Sequence, residues 1–342
     1  MSILPSDEQI LLRESTRQFL TSAFPIDRVR TFMAGSADEK RSLQRAFWKE
    51  IAELGWLGVL WDEDSGGIGL GHTEVGIILE ELGRALVPSA YLPTLLAGLL
   101  LRRALPAEEC REWLESVAAG QLTLSLSLED PLGENDAYGP CQARAEGSGF
   151  RLQGTKSFIP HAPDVDRILI AATTDGDEIR GFWVDPSAAG VEIDELETMD
   201  QTRPLYRVSF QDAEAHELGL PGQYAQFWSQ VEPFYWSALA SECVGGCERV
   251  LEDAVAYAKD RVQFDSPIGA QQAIKHKCAN MLIRVEGTRS IAARAARALE
   301  EELSDGPLLC SMAKAYATES YREVSAEGIQ IHGGVGFTWE YD

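Results

Sequence analysis

Basic residues are scarce beside acidic ones: 30 Lys and Arg against 54 Asp and Glu leave a formal net charge of −24 over 342 residues. Such a field opposes non-specific binding to nucleic acid or to an anionic membrane surface. A phosphate-bearing small molecule stays compatible, because a local cluster of donors binds it against the global field. Long apolar runs are also missing. The longest, around Leu95 to Leu101, falls far short of the ~20 residues a membrane helix needs, which argues against membrane insertion. The six cysteines, Cys110, Cys141, Cys243, Cys247, Cys278 and Cys310, contain no CxxC pair, and Met1 opens no secretory leader. A soluble cytoplasmic protein is therefore expected, with its thiols serving as small buried hydrophobes and no metal site. No internal repeat and no low-complexity tract is present.

What is there divides into three parts, with expected domains over 1–120, 121–222 and 223–342. The first reads as helices. Ser6 followed by Gln9 has the form of a capping box, and Leu43, Phe47, Ile51 and Leu54 recur at the spacing of one helix face, as do Val75, Leu79, Leu82 and Leu86 before Pro88. Between them the glycines of Trp61 to Gly71 suit a tight loop, either a connector or a functional one. From residue 121 the period becomes two. Leu122, Leu124, Leu126 and Leu128 alternate with Thr123, Ser125 and Ser127, predicting a strand with one buried face. Further strand-like runs at 150–154, 167–173, 179–184 and 205–210 are uninterrupted by any long amphipathic helix. This predicts an antiparallel β barrel or sandwich and makes a Rossmann site improbable. Helical periodicity returns in long segments at about 224–259, 270–303 and 307–330, long enough to pack as a bundle. The last ends in Gly333, Gly334, Val335 and Gly336, which by itself reads equally as a helix C-cap.

Several motifs then coincide with this plan. Tyr257 to Ile268, YAKDRVQFDSPI, resembles the YAxxRxQFGxPI stretch of the acyl-CoA dehydrogenase family, with Asp265 where the family usually has glycine. Gln272 opens QAIKHKCANM, similar to the family's Q-x-I-K-H-x-x-A-D-M run. Gln330 to Thr338 resembles QxxGGxGFT, and Gly154 to Ile159 resembles GxKxWI with Phe158 for Trp. The matches span most of the chain in order. The resemblance implies an α+β chain of N-terminal helical domain, middle β domain and C-terminal helical bundle. It further implies FAD as cofactor, α,β-desaturation of an acyl-CoA substrate, and electron transfer to an acceptor flavoprotein. A dinucleotide calls for a cationic donor, a ring wall, amide hydrogen bonds and closely approaching backbone. Arg261, Phe264, Gln272, Gln330, Gly333 and Gly334 supply these, and in the family such positions reach into a neighbouring protomer's flavin site.

Two departures shape the expectation. The family's flavin cradle, T-E-P-x-x-G-S-D, corresponds to Glu129 to Asp136, where carboxylates at Glu129 and Glu134 oppose a pyrophosphate. Pro160 stands where the family has threonine, removing a hydroxyl and an N–H. The chain thus resembles the shortened subunit of heteromeric acyl-CoA dehydrogenases, in which a homologous, fuller partner holds the flavin, as in bacterial steroid side-chain degradation. The family's glutamate base lies beyond the glycine signature or on the first bundle helix. Counting back from Arg261 places the latter at Tyr235, followed by Trp236, so direct transfer fails. Glu242, two turns further along, is either the base or an interhelical hydrogen-bonding group. His276 and His332 are expected to bond near the flavin contacts. The competing reading is a non-catalytic partner that completes another subunit's site.

Overall fold

Ser6 and Gln9 form the expected capping box: Ser6 Oγ accepts the Gln9 N–H at 3.3 Å and Gln9 Oε1 accepts the Ser6 N–H at 3.0 Å. They open α1 (Asp7–Ala23), the first of nine α-helices among the described residues. The others are α2 (Ile26–Ala34), α3 (Ala37–Glu53), α4 (His72–Arg84), α5 (Tyr91–Ala104), α6 (Ala107–Ala118), α7 (Tyr224–Asp260), α8 (Gln272–Glu300) and α9 (Gly306–His332). A computed structural model describes residues 5–127, 141–147, 149–176, 178–219 and 221–342. No helix among them is long and apolar enough to cross a membrane. All six cysteines stand as free thiols, four of them buried.

Contacts group the chain into two units. One comprises residues 1–30, 71–87 and 233–342, the other 31–70 and 88–232. The grouping joins α1 and α4 to the C-terminal bundle, cutting across the three segments of the sequence. In the first unit, α7, α8 and α9 meet around small side chains, among them Ala240, Val244, Ala295, Ala313 and Ala317. A second apolar cluster nearer the end of the bundle joins Ala258 of α7, Met281 and Val285 of α8, and Val324 and Ile331 of α9. Against α7 lies α4, whose Glu80 and Glu81 are buried and bonded to guanidinium groups: Arg17 of α1 donates twice to Glu81, at 2.8 Å each, and Arg289 of α8 pairs with Glu80.

The second unit is built on a seven-stranded sheet: β1 (Leu124–Leu126), β2 (Gln142–Glu146), β3 (Gly149–Pro160), β4 (Arg167–Thr174), β5 (Ile179–Val184), β6 (Val191–Glu195) and β7 (Leu205–Leu218). The order β4-β2-β3-β7-β5 closes on itself because β5 also pairs with β4, giving a barrel without edges except at β1 and β6. Most pairings are antiparallel as expected, but β1 and β2 each run parallel to β4. The hairpin of β2 and β3 intervenes between β1 and β4, and such a crossover permits parallel pairing. The one-sided burial expected of the first strand is not observed either. Leu124, Ser125 and Leu126 are all fully buried, because α5 covers one side and β3 the other. Ser125 is accommodated by donating its hydroxyl to the Pro160 carbonyl at 2.5 Å. The Glu129 to Asp136 segment lies outside the described residues.

Candidate functional site

The C-terminal bundle alternates in direction, so the end of α7, the start of α8 and the end of α9 come to the same end of the first unit. Arg261 follows the last turn of α7, its N–H bonded to the Tyr257 carbonyl at 2.8 Å, and its own carbonyl accepts from Ile268 at 2.8 Å. Between these bonds runs a short hairpin, β8 (Val262–Gln263) and β9 (Ser266–Pro267). Its two-residue turn is Phe264 and Asp265, with φ of +52° and +64°. Two successive positive φ values define the mirror-image turn that suits a tight hairpin, and Asp tolerates this region better than most residues. The Asp265 departure from glycine is thereby absorbed. The turn leaves the Phe264 ring 94% exposed.

Gln272 is the first residue of α8 and exposed, and Gln330 is exposed in the last turn of α9. Gly333 ends α9 at φ +65° and ψ −137°, and Gly334 follows. A Cβ built on either glycine meets nothing within 4 Å. These glycines therefore do not serve internal packing; only Gly333 has a backbone conformation that demands glycine. Arg261, Phe264, Gln272, Gln330, Gly333 and Gly334 thus all open outward from one end of the bundle, tied together through Ala258, Ile268 and Ile331 in the apolar cluster beneath.

His332 adds a group whose detail the sequence does not reveal. Its Nδ1 bonds the Gly328 carbonyl at 2.7 Å, which makes that nitrogen the N–H donor and leaves Nε2 an acceptor. Nε2 is buried without a hydrogen-bond partner among the described residues. The ring lies 4.4 Å from that of Tyr257 and 4.9 Å from that of Tyr341. Tyr341 thus takes part in packing this end. This end of the bundle thus presents, among the described residues, an exposed guanidinium, two exposed amides, an exposed ring, a partnerless ring nitrogen and bare backbone, the kinds of group that bind polar and aromatic parts of a ligand.

Glu242 stands apart from this set. Nineteen residues of α7 separate it from Arg261, about 28 Å along a helix axis. It is half-buried where α7 crosses α4, and a Cβ on Gly83 would lie 2.8 Å from its Cγ. Tyr235 and Trp236, a further two turns toward the start of α7, are half-buried, and Trp236 packs on the small-residue cluster. His276 is exposed on the first turn or two of α8. In the second unit, a register shift in β3 between Lys156 and Ile159 turns Phe158 outward at φ +59° and 45% exposure, while Lys156 and Ile159 are buried.

Residues 6–121 match the acyl-CoA dehydrogenase N-terminal domain and residues 237–342 the acyl-CoA dehydrogenase C-terminal domain. The chain belongs to the acyl-CoA dehydrogenase family. Members of this family are oxidoreductases acting on CH–CH bonds. The chain is 32% identical over 343 residues to acyl-CoA dehydrogenase IpdE2 of Mycobacterium tuberculosis, covering 99% of this chain and 89% of that one. Among solved structures it is similar to a variant of the Tcur3481-Tcur3483 steroid ACAD, with a TM-score of 0.84, 30% identity and coverage of 98% and 89%. It is also similar to an acyl-CoA dehydrogenase complexed with FAD from Bacillus anthracis, with a TM-score of 0.87, 27% identity and coverage of 99% and 62%.

Proposed function

We propose that this chain is one subunit of a cytoplasmic, FAD-dependent acyl-CoA dehydrogenase that desaturates an acyl-CoA thioester between its α and β carbons. It works paired with a homologous subunit and delivers electrons to an acceptor flavoprotein. The observation that carries the reading is the outward set at the end of the bundle, where two glycines face open space beside an orphaned His332 nitrogen. FAD, when bound, supplies the hydride acceptor for the β carbon. Arg261 binds pyrophosphate oxygens by charge-assisted hydrogen bonds, Gln272 and Gln330 bond polar edges, and Phe264 walls off a ring. Gly333 and Gly334 let the backbone come within contact distance. Because these groups open away from their own chain, the dinucleotide they hold belongs to an adjoining protomer.

The remaining chemistry is removal of the α proton. A carboxylate in a dry pocket performs this once the thioester carbonyl is polarised by hydrogen bonds. Glu242 is the candidate on this chain: its carboxylate accepts the α proton. Similarity to a steroid ACAD supports a bulky, steroid-type acyl group. The second reading, a non-catalytic subunit that completes a partner's flavin site, is favoured by the position of Glu242 against α4.

Purifying the chain alone and together with the product of a neighbouring homologous gene, and measuring bound flavin in each, tests the heteromer. Flavin bound only to the complex is expected, and stoichiometric FAD on the lone chain defeats the paired arrangement. Desaturation of a steroid thioester against a straight-chain one by the complex tests the substrate.

A further inference from the structure

The first unit contains a cavity of about 450 Å³ bounded by α1, α4, α7 and α8. None of the flavin-facing residues lines it, and neither does Glu242. Its volume lies within the range of small-molecule sites. Small side chains make the room. Ala292, Ala293 and Ala296 of α8, Ile77 of α4 and Val244 of α7 form an apolar wall, and α4 adds the bare backbone of Gly76. A Cβ at residue 76 would stand 3.1 Å from Ser241 Oγ and 4.0 Å from the Ala296 Cβ, so even one methyl group would crowd this side.

Four guanidinium groups and three carboxylates also line the cavity. Three of the four arginines are engaged. Arg13 and Arg289 both pair with the buried Glu80, Arg289 also donates to Glu248 at 2.8 Å, and Arg297 donates to Glu301 at 3.0 Å. Arg294 has no hydrogen-bond or ion-pair partner among the described residues. Its place on α8 explains this. The positions three and four residues away are Ser290, Ile291, Arg297 and Ala298, none of them acidic, and Arg297 adds a like charge on the same face. Glu300 is engaged at the start of α4, where it accepts the Thr73 hydroxyl at 2.5 Å. In a chain whose acidic residues outnumber its basic ones 54 to 30, a guanidinium without a carboxylate is the exception. Arg294 is half-buried, so its side chain remains partly accessible to a ligand in the cavity.

A single free guanidinium fork matches the two oxygens of a carboxylate. A dianion such as a phosphate monoester would meet added repulsion from Glu286 and Glu300, which share the lining. The apolar wall calls for a hydrocarbon body. We propose that this cavity binds a monocarboxylate with a medium-length aliphatic chain, its carboxylate on Arg294 and its chain over Ile77, Val244 and the α8 alanines. The site uses neither the flavin nor Glu242 and stands independently of the dehydrogenase reading.

Isothermal titration calorimetry of the full chain with octanoate tests it, with acetate and 1-octanol as controls that lack the chain or the charge. Octanoate is expected to bind saturably, and each control roughly tenfold more weakly or worse. Arg294→Gln keeps a polar side chain but removes the charge. Because Arg294 has no partner to lose, the unfolding midpoint of the variant should not fall, while its affinity for octanoate drops roughly tenfold or more. Ala293→Leu is expected to weaken octanoate similarly by filling the cavity with the guanidinium still in place. Wild-type crystals soaked in octanoate give a readout that needs no variant, with the carboxylate lying on Arg294. Absent saturable binding, equal binding of 1-octanol, undiminished affinity in either variant, or octanoate found only away from Arg294 after soaking would each overturn the assignment.

Discussion

Gly245 of α7 lies against the Glu80 carbonyl of α4 so closely that a Cβ at residue 245 would overlap the oxygen. Gly83 makes the reciprocal approach to Glu242. The glycines let two helix backbones cross at a distance no larger side chain permits, at the expense of helix propensity. Gly245→Ala would gain about 1 kcal/mol of propensity in an open helix. Here overpacking outweighs it, and a net loss of about 2 kcal/mol is expected by urea denaturation, with an unchanged m-value.

A second expectation concerns the carboxylate beside that crossing. Glu81 is almost wholly buried and receives both nitrogens of the Arg17 fork, while Arg17 also reaches Glu248 at 3.0 Å. The bond to Glu81 is the main reason the Arg17 pKa is raised. Removing Glu81 leaves Arg17 partly exposed and still bonded to Glu248, so the loss is that of charged hydrogen bonds and of the packing of a buried side chain. Glu81→Ala is expected to lower unfolding free energy by about 2 kcal/mol. If the variant unfolded as the wild type does, the network would be a surface decoration and not part of the core.

His161 gives the second unit a distinct pH response. Burial and the nearby Arg203 push its folded pKa down to about 4, below the ordinary 6.5, so the unfolded chain takes up a proton more readily across that interval. The stability it contributes is fully present above pH 6.5 and is lost as pH falls toward 4, amounting to about 3 kcal/mol. His161→Asn, whose side chain tolerates the native φ of +54°, should flatten unfolding free energy against pH between 6.5 and 4. Because the variant also changes packing, the slope, not the value at neutral pH, is the measurement.

Much of this organisation was legible in the chain, and what was hidden shares a physical cause. The Ser6 and Gln9 box depends on four residues, and the bundle on helical periodicity within each segment, so local pattern sufficed. The burial of Ser125 did not follow from alternation, because β1 is covered on both sides by elements distant in sequence. The same holds for Glu242, whose surroundings are set by Gly83 across a helix crossing. Arg294 and His161 carry no motif. The family signatures named Arg261, Gln330 and His332, but not that His332 Nε2 is buried without a partner among the described residues.

The outward set separates function from stability. Phe264 is almost fully exposed, and Gly334 has open space where a side chain would stand. Phe264→Ala and Gly334→Val are therefore expected to change the stability of the isolated chain by no more than about 0.5 kcal/mol. Flavin retained by the paired complex should fall in both, measured by absorbance after gel filtration. Unchanged flavin occupancy with both variants would remove this end of the bundle from the cofactor site.

Glu242 decides between an active and a supporting subunit. Glu242→Gln keeps the side chain's length and its capacity to hydrogen-bond but cannot take up the α proton. If the residue is the base, turnover by the complex should drop at least a thousandfold, while flavin content and the unfolding midpoint stay at wild-type values. A structural carboxylate behaves differently, because its contact with α4 is part of the helix crossing. In that case Glu242→Gln shifts the midpoint modestly and leaves turnover close to normal. Single-turnover flavin reduction separates the outcomes, since it reports the proton and hydride step without product release. Wild-type reduction by the variant complex would place the base on the partner or elsewhere in this chain and leave the subunit its role in completing a neighbour's flavin site.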